Sequence, residues 1–164
     1  GAWDREAARC AFEALADAAV DYVEEPLPPG DLEGLADLGG GPVGVAVDET
    51  LARRGPAAVV EAGAADVLVV KPMAHGGPDR ARDVLGLADD AGLGAVVTTT
   101  VDTAVARLGA VHLAASLDDP APAGLATAHL LDADVAPDPA PVEDGRARVP
   151  QGPGHGVSVT GWSP

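Results

Sequence analysis

Short apolar runs recur along the chain, and each is continuous rather than alternating: Ala19–Val23, Val43–Val47, Val67–Val70 and Ala95–Val97. A continuous valine-rich run is the mark of a strand covered on both faces, as in parallel sheets flanked by helices. Between the runs, apolar positions recur at helical spacing over Asp4–Ala18, Asp31–Leu38, Pro78–Ala91 and Asp102–Leu117. A further segment, Glu49–Ala62, is broken near Gly55 and restarted by Pro56, a residue suited to the first position of a helix. Gly39-Gly40, Gly63 and Gly92 stand where helices should stop. Helix and strand alternate with no hairpin signal between them, which predicts a parallel sheet, open or closed into a barrel.

The residue that follows each strand sharpens this reading. Glu24, Asp48, Lys71 and Thr98 come at intervals of 24, 23 and 27 residues (48−24, 71−48 and 98−71). One strand-helix unit of a barrel takes about 30 residues, so these are successive C-terminal strand ends, where such barrels gather their reactive side chains. An open sheet would place its ligand at one switch point beside a glycine-rich loop, and no such loop follows these strands.

Charge narrows the partners. The 164 residues carry 26 acidic and 10 basic side chains, a net charge of −16, which repels nucleic acid and anionic membrane surfaces. Arg53-Arg54 is too small a basic cluster to reverse this. The expected partner is a small-molecule carboxylate, with no nucleic acid and no membrane. High acidity with few aromatics resembles salt-adapted cytoplasmic proteins. No apolar run approaches the ~18 residues of a membrane span and no signal-peptide pattern is present, so a cytoplasmic location is expected. The one cysteine, Cys10, excludes an internal disulfide and a cysteine-rich zinc site, and is expected to serve as packing.

Nine of the ten basic residues are arginine and Lys71 is the only lysine. Arginine cannot release its proton, whereas a lysine amine can act as a base or a compact point charge, so Lys71 is the first candidate for chemistry. Glu24 and Asp48 each end an apolar strand, and oxygen ligands on a rigid rim suit a hard cation such as Mg2+. A single acid in such a place is more often a salt bridge or helix cap; two in successive units followed by the lone lysine favour a site. Glu25 and Glu49 are alternative ligands, although strand alternation favours Glu24 and Asp48. Thr98, Thr99 and Thr100 offer hydroxyls to substrate oxygens, while threonine is also simply a good strand former. His75, His112, His129 and His155 lack metal-ligand spacing. Gly152-Pro153-Gly154 reads as a turn. From Asp118 the chain turns proline- and alanine-rich, with a last strand expected near Gly124–Ala126, a surface course beyond Asp132 and an extended turn over Val142–Val149.

With those residues in place the sequence resembles the muconate-lactonising branch of the enolase superfamily, and within it the o-succinylbenzoate synthases of menaquinone biosynthesis. The resemblance runs through Gly1-Ala2-Trp3-Asp4, Tyr22-Val23-Glu24-Glu25-Pro26-Leu27, Val45-Ala46-Val47-Asp48-Glu49-Thr50-Leu51, Val70-Lys71-Pro72-Met73 with Gly76-Gly77, and Gly145-Arg146 with Gly152-Pro153-Gly154. It implies an α/β fold, the C-terminal portion of a (β/α)7β TIM-like barrel. Residues 1–131 would form a partial barrel of roughly strands 4 to 8 and 132–164 an extended tail, the N-terminal capping domain and first strands being absent.

The resemblance further implies that Glu24 and Asp48 are the second and third of three Mg2+ ligands and Lys71 the second of two active-site lysines. The first ligand, in an Asp-x-Asn motif, and the first lysine, in Lys-x-Lys, have no counterpart here. The implied reaction is dehydration of 2-succinyl-6-hydroxy-2,4-cyclohexadiene-1-carboxylate to 2-succinylbenzoate through an enediolate, with racemisation or epimerisation of an amino-acid derivative as the alternative. A non-catalytic barrel remnant is a third reading. An open partial barrel exposes unpaired strand edges, so the isolated chain is expected to be inactive and to self-associate, and the full-length protein could form a homo-oligomer.

Overall fold

The computed structural model describes residues 1–158. Six helices and four principal strands alternate as the apolar pattern predicts: α1 (Arg5–Ala16), β1 (Tyr22–Glu24), α2 (Leu32–Leu38), β2 (Gly44–Val47), α3 (Glu49–Arg54), α4 (Pro56–Glu61), β3 (Val67–Val70), α5 (Pro78–Asp90), β4 (Gly94–Val97) and α6 (Ala104–Ala115). The strands lie in one sheet in chain order. β1 and β2 pair in parallel with Glu24 opposite Ala46, and β2 pairs in parallel with β3. Gly94 N–H donates to Asp66 O at 2.9 Å and Thr98 N–H to Val70 O at 3.0 Å; the constant offset (94−66 and 98−70) makes β3 and β4 parallel as well. The fold class is therefore α/β with a parallel sheet.

The chain divides into two compact units, one of Gly1–Val69 with Asp83–Ala95 and the other of Val70–Arg82 with the chain from Val96 onward. In the first unit, the core is built from Leu27, Leu35, Val45, Val47, Leu51, Val59 and Leu68, all fully buried. Helix starts are set by aspartates: Asp4 Oδ1 accepts Ala7 N–H at 2.8 Å for α1, and Asp31 Oδ1 accepts Gly34 N–H at 3.1 Å for α2. Asp31 also receives a two-point fork from Arg5, at 3.0 Å from Nε and 2.6 Å from Nη2. Gly34 is packed under that fork, where a Cβ would come within 2.5 Å of Asp31 Oδ2. Gly55, at φ +81°, separates α3 from α4, and Pro56 begins α4.

Two expectations for this unit need revision. The first strand begins at Tyr22 rather than Ala19, because Ala18 N–H closes back on Leu15 O and Ala19 adopts φ +53°, both part of the turn that ends α1. Cys10, expected as packing, is exposed on α1, whose inward face is carried by Ala8 and Phe12.

In the second unit, α6 is apolar over most of its circumference and buries Ala104, Leu108, Ala110, Val111, Leu113 and Ala114. Arg107 is buried with them. Its Nε donates to Leu125 O at 2.6 Å, Nη1 to Asp138 Oδ1 at 2.7 Å and Nη2 to Ala140 O at 2.9 Å. Asp134 Oδ2 accepts Ala104 N–H at 2.8 Å and so caps α6 from a distance in sequence. The segment beyond Asp132 is exposed at most of its described residues, as a surface course requires, and is tied to α6 by these bonds, with Ala136 and Ala140 buried. The strand expected at Gly124–Ala126 reduces to one parallel bridge, Thr98 to Gly124. The extended turn resolves into a hairpin of β5 (Val142–Glu143) and β6 (Arg146–Ala147). Asp144 and Gly145 both have positive φ, the two-residue turn that matches the twist of paired strands. Residues 159–164 of the expected tail lie outside the described residues.

Candidate active site

Glu24 is the last residue of β1 and Asp48 the first beyond β2. Paired residues of a parallel ladder share a face and alternate residues return to it, so Glu24, opposite Ala46, and Asp48, two residues further on, belong to the same side of the sheet. The first unit thus brings the two proposed ligands to neighbouring strand ends. Glu24 is exposed and Asp48 nearly buried at 7 %.

Glu25 has a different role from its neighbour. It is 5 % exposed, at φ +44°, and its Oε2 accepts Asp48 N–H at 2.9 Å and Thr50 N–H at 3.2 Å. Its Oε1 accepts the Thr50 hydroxyl, whose oxygen in turn accepts Gly30 N–H at 2.8 Å. A carboxylate so fully used by protein donors is a structural anchor. Of the two alternatives to Glu24 and Asp48, Glu25 is thereby removed, and Glu49 is exposed in the first turn of α3.

In the second unit, Lys71 follows β3 and is half-buried, and the bond from Thr98 N–H to Val70 O puts Thr98 at the adjacent strand end. The threonines are engaged with nearby chain. Thr98 Oγ1 donates to Gly124 O at 2.8 Å, buried Thr99 shares a 2.7 Å hydroxyl bond with Thr127, and Thr100 donates its hydroxyl to Asp102. Their hydroxyl oxygens keep acceptor capacity. Val101, immediately after, sits at φ +66°, a region that β-branched residues seldom enter, and is held there beside the Thr100–Asp102 turn. Of the histidines, His112 Nε2 lies 3.1 Å from His155 O, consistent with a packing role.

Among the described residues no three His, Cys, Asp or Glu side chains cluster in a way that would hold a metal ion. Mg2+ nevertheless commonly uses one or two protein carboxylates and fills its remaining positions with water and substrate oxygens. The pair Glu24 and Asp48, hard oxygen donors on adjacent strand ends, fits that chemistry. No helix among the described residues is long and apolar enough to cross a membrane.

The family described as enolase C-terminal domain-like matches residues 1–162. The chain is 39% identical over 142 residues to the o-succinylbenzoate synthase of Thermobifida fusca, covering 85% of this chain and 43% of that protein. It is 32% identical over 164 residues to a hydrophobic dipeptide epimerase of a Flavobacteria bacterium, covering 96% of this chain and 44% of the other. In structure it is similar to the muconate lactonizing enzyme of Pseudomonas putida, with a TM-score of 0.87 at 24% identity over 96% of this chain and 45% of that one. The chain therefore spans less than half the length of the curated relatives it matches.

Proposed function

This chain belongs to the enolase superfamily, in the branch of the muconate-lactonising enzymes, and from that membership we propose that it forms part of a cytoplasmic Mg2+-dependent lyase that makes 2-succinylbenzoate. The observation that carries this reading is the 39% identity to the Thermobifida fusca synthase. The reaction removes one proton from the carbon next to the substrate carboxylate and one hydroxyl from the ring, releasing water and leaving an aromatic ring. No electrons are gained or lost.

The difficulty in this reaction is the weak acidity of the proton, since its loss builds negative charge on the carboxylate. Glu24 and Asp48 would hold Mg2+, which when bound would supply a Lewis acid for that charge. The resemblance implies that Lys71 would add a second positive charge, a compact ammonium acting as a point charge. The proton itself would pass to a lysine outside these 164 residues, where the resemblance puts the Lys-x-Lys motif. Thr98 and Thr100 would contribute hydroxyl oxygens to substrate orientation.

The test is to assay the full-length protein for this dehydration with and without Mg2+, and then to substitute Lys71→Ala. A loss of about 10²–10³-fold in kcat is expected, the range for removing one electrostatic contact to a developing oxyanion. Full activity without a divalent metal would refute the reading. The identity to the dipeptide epimerase favours a second one, in which the same residues serve exchange of an α-proton. Deuterium uptake from solvent into a dipeptide or N-acylamino acid, with no dehydration of the cyclohexadiene, would select it.

A further inference from the structure

We propose that Glu25 is a positioning residue for Asp48: it serves the first turn of α3 in place of Asp48, which keeps the Asp48 carboxylate out of the helix cap and at the strand end where it would hold the metal. The inference rests on the reading of Asp48 as a Mg2+ ligand. Asp48 stands at the N-cap of α3, the position where an aspartate ordinarily turns its carboxylate back onto the N–H groups of the first turn. Here it makes no such bond, and its backbone is at φ −118°, ψ −82°. One donor it would have taken, Thr50 N–H, is served instead from the end of the neighbouring strand by Glu25 Oε2, which also receives the backbone N–H of Asp48 itself and so fixes the cap residue. Burial makes the arrangement firm, since Glu25 and Thr50 are nearly inaccessible and water cannot replace either partner.

A cap and a ligand compete for the same carboxylate. If Glu25 is shortened, Thr50 N–H loses its acceptor, and the nearest replacement in sequence is the Asp48 side chain. Asp48 would then fold back as a cap and leave the rim. The helix would recover part of its stability while the metal site lost a ligand. A merely structural Glu25 would give the opposite pattern, lowered stability with unchanged affinity in the folded protein.

Two substitutions separate reach from charge. Glu25→Gln keeps the reach: its carboxamide oxygen can accept the two N–H groups and its amide can donate to the Thr50 hydroxyl. Glu25→Asp keeps the charge but withdraws the carboxylate by one methylene. Thr50→Val serves as a control, removing a buried hydroxyl from the same network while leaving the Asp48 N–H bond to Glu25 intact. Mn2+ is the probe, its affinity read from its electron paramagnetic resonance signal in the full-length protein, alongside the thermal midpoint and the exchange rates of the Asp48 and Thr50 amides without metal. Positioning partners of metal ligands typically govern about 10–100-fold in affinity.

Glu25→Asp should therefore weaken Mn2+ binding at least about tenfold and speed exchange at both amides, while Glu25→Gln and Thr50→Val stay within about threefold of the parent. Retained affinity in Glu25→Asp with loss in Glu25→Gln would replace positioning by simple charge and overturn the proposal. So would equal affinity in all four proteins with only the midpoint lowered. If the parent itself binds no Mn2+, the Mg2+ reading fails and ligand positioning falls with it, whereas amide exchange still reports whether Glu25 holds the Asp48 backbone.

Discussion

Arg107 gives the sharpest quantitative expectation. Its guanidinium is fully buried in the second unit and divides its donors among three acceptors, the carbonyls of Leu125 and Ala140 and the carboxylate of Asp138. Asp138→Ala leaves that charge buried with no counter-ion, a change that costs about 3–5 kcal/mol when a buried pair is broken from one side. Asp138 retains some exposure, 19% at its side chain, so the lower end, about 3 kcal/mol, is expected. Arg107→Lys keeps the charge, but one ammonium cannot replace a planar fork whose three nitrogens serve Leu125 on one segment and Asp138 and Ala140 on another. Two buried acceptors then lose their donors at about 1–3 kcal/mol each, or roughly 2–4 kcal/mol after relaxation. The double variant Arg107→Met, Asp138→Ala removes the stranded charge and should be no less stable than Asp138→Ala alone. Urea unfolding followed by far-ultraviolet circular dichroism reads all of these. With a slope of about 2 kcal/mol per molar, Asp138→Ala should lower the midpoint by about 1.5 M. A shift below about 0.25 M, or additive losses in the double variant, would refute the argument that Arg107 anchors the segment beyond Asp132.

Three further outcomes are expected. Gly34→Ala should destabilise by about 1–3 kcal/mol in thermal unfolding, against the usual gain for alanine in a helix, because the new Cβ meets Asp31 Oδ2 at 2.5 Å and both Arg5 Nε and Leu27 Cδ1 at 2.7 Å. Val101→Gly should stabilise by about 1 kcal/mol, the relief of a left-handed β-branched residue less the added freedom of glycine in the unfolded chain; a lowered midpoint would count against strain at φ +66°. The Arg5 bond holds the Asp31 carboxyl below its ordinary range, so its contribution is fully present above about pH 4 and disappears as pH falls through the lower folded value. The stability gap between the parent and Asp31→Asn, followed by urea unfolding across pH, should therefore be constant from about pH 5 to 8 and close below about pH 4.

Local pattern carried the elements well, because their determinants are local. Continuous valine runs gave the strands, Gly55-Pro56 gave the break between α3 and α4, and the expected extended turn over Val142–Val149 is present, closed as a hairpin. Strand-end arithmetic also brought Glu24 and Asp48 to neighbouring positions. What could not be read depends on partners distant in the chain. Glu25 and Glu24 are chemically identical neighbours, and only the approach of Asp48 and Thr50, 23 and 25 residues later, makes one of them an anchor. The role of Arg107 likewise depends on acceptors that come 18, 31 and 33 residues further on. The one available signal was a single arginine inside a run of alanine, valine and leucine. The tie between the tail and α6 depends on those same distant contacts. Ala19 shows a smaller failure, a residue of no turn preference placed in a left-handed turn by the way α1 ends.

The scarcity of lysine has a practical consequence at Lys71. Within these 164 residues an amine-directed reagent meets no other side chain, and lysine-selective isotopic enrichment would yield one side-chain nitrogen resonance, located at the end of β3. Pro72, next in the chain, hinders proteases that cut after lysine and would keep the labelled segment whole. These 164 residues therefore contain one side-chain amine, a reporter on the end of β3 that needs no engineered cysteine or fluorophore.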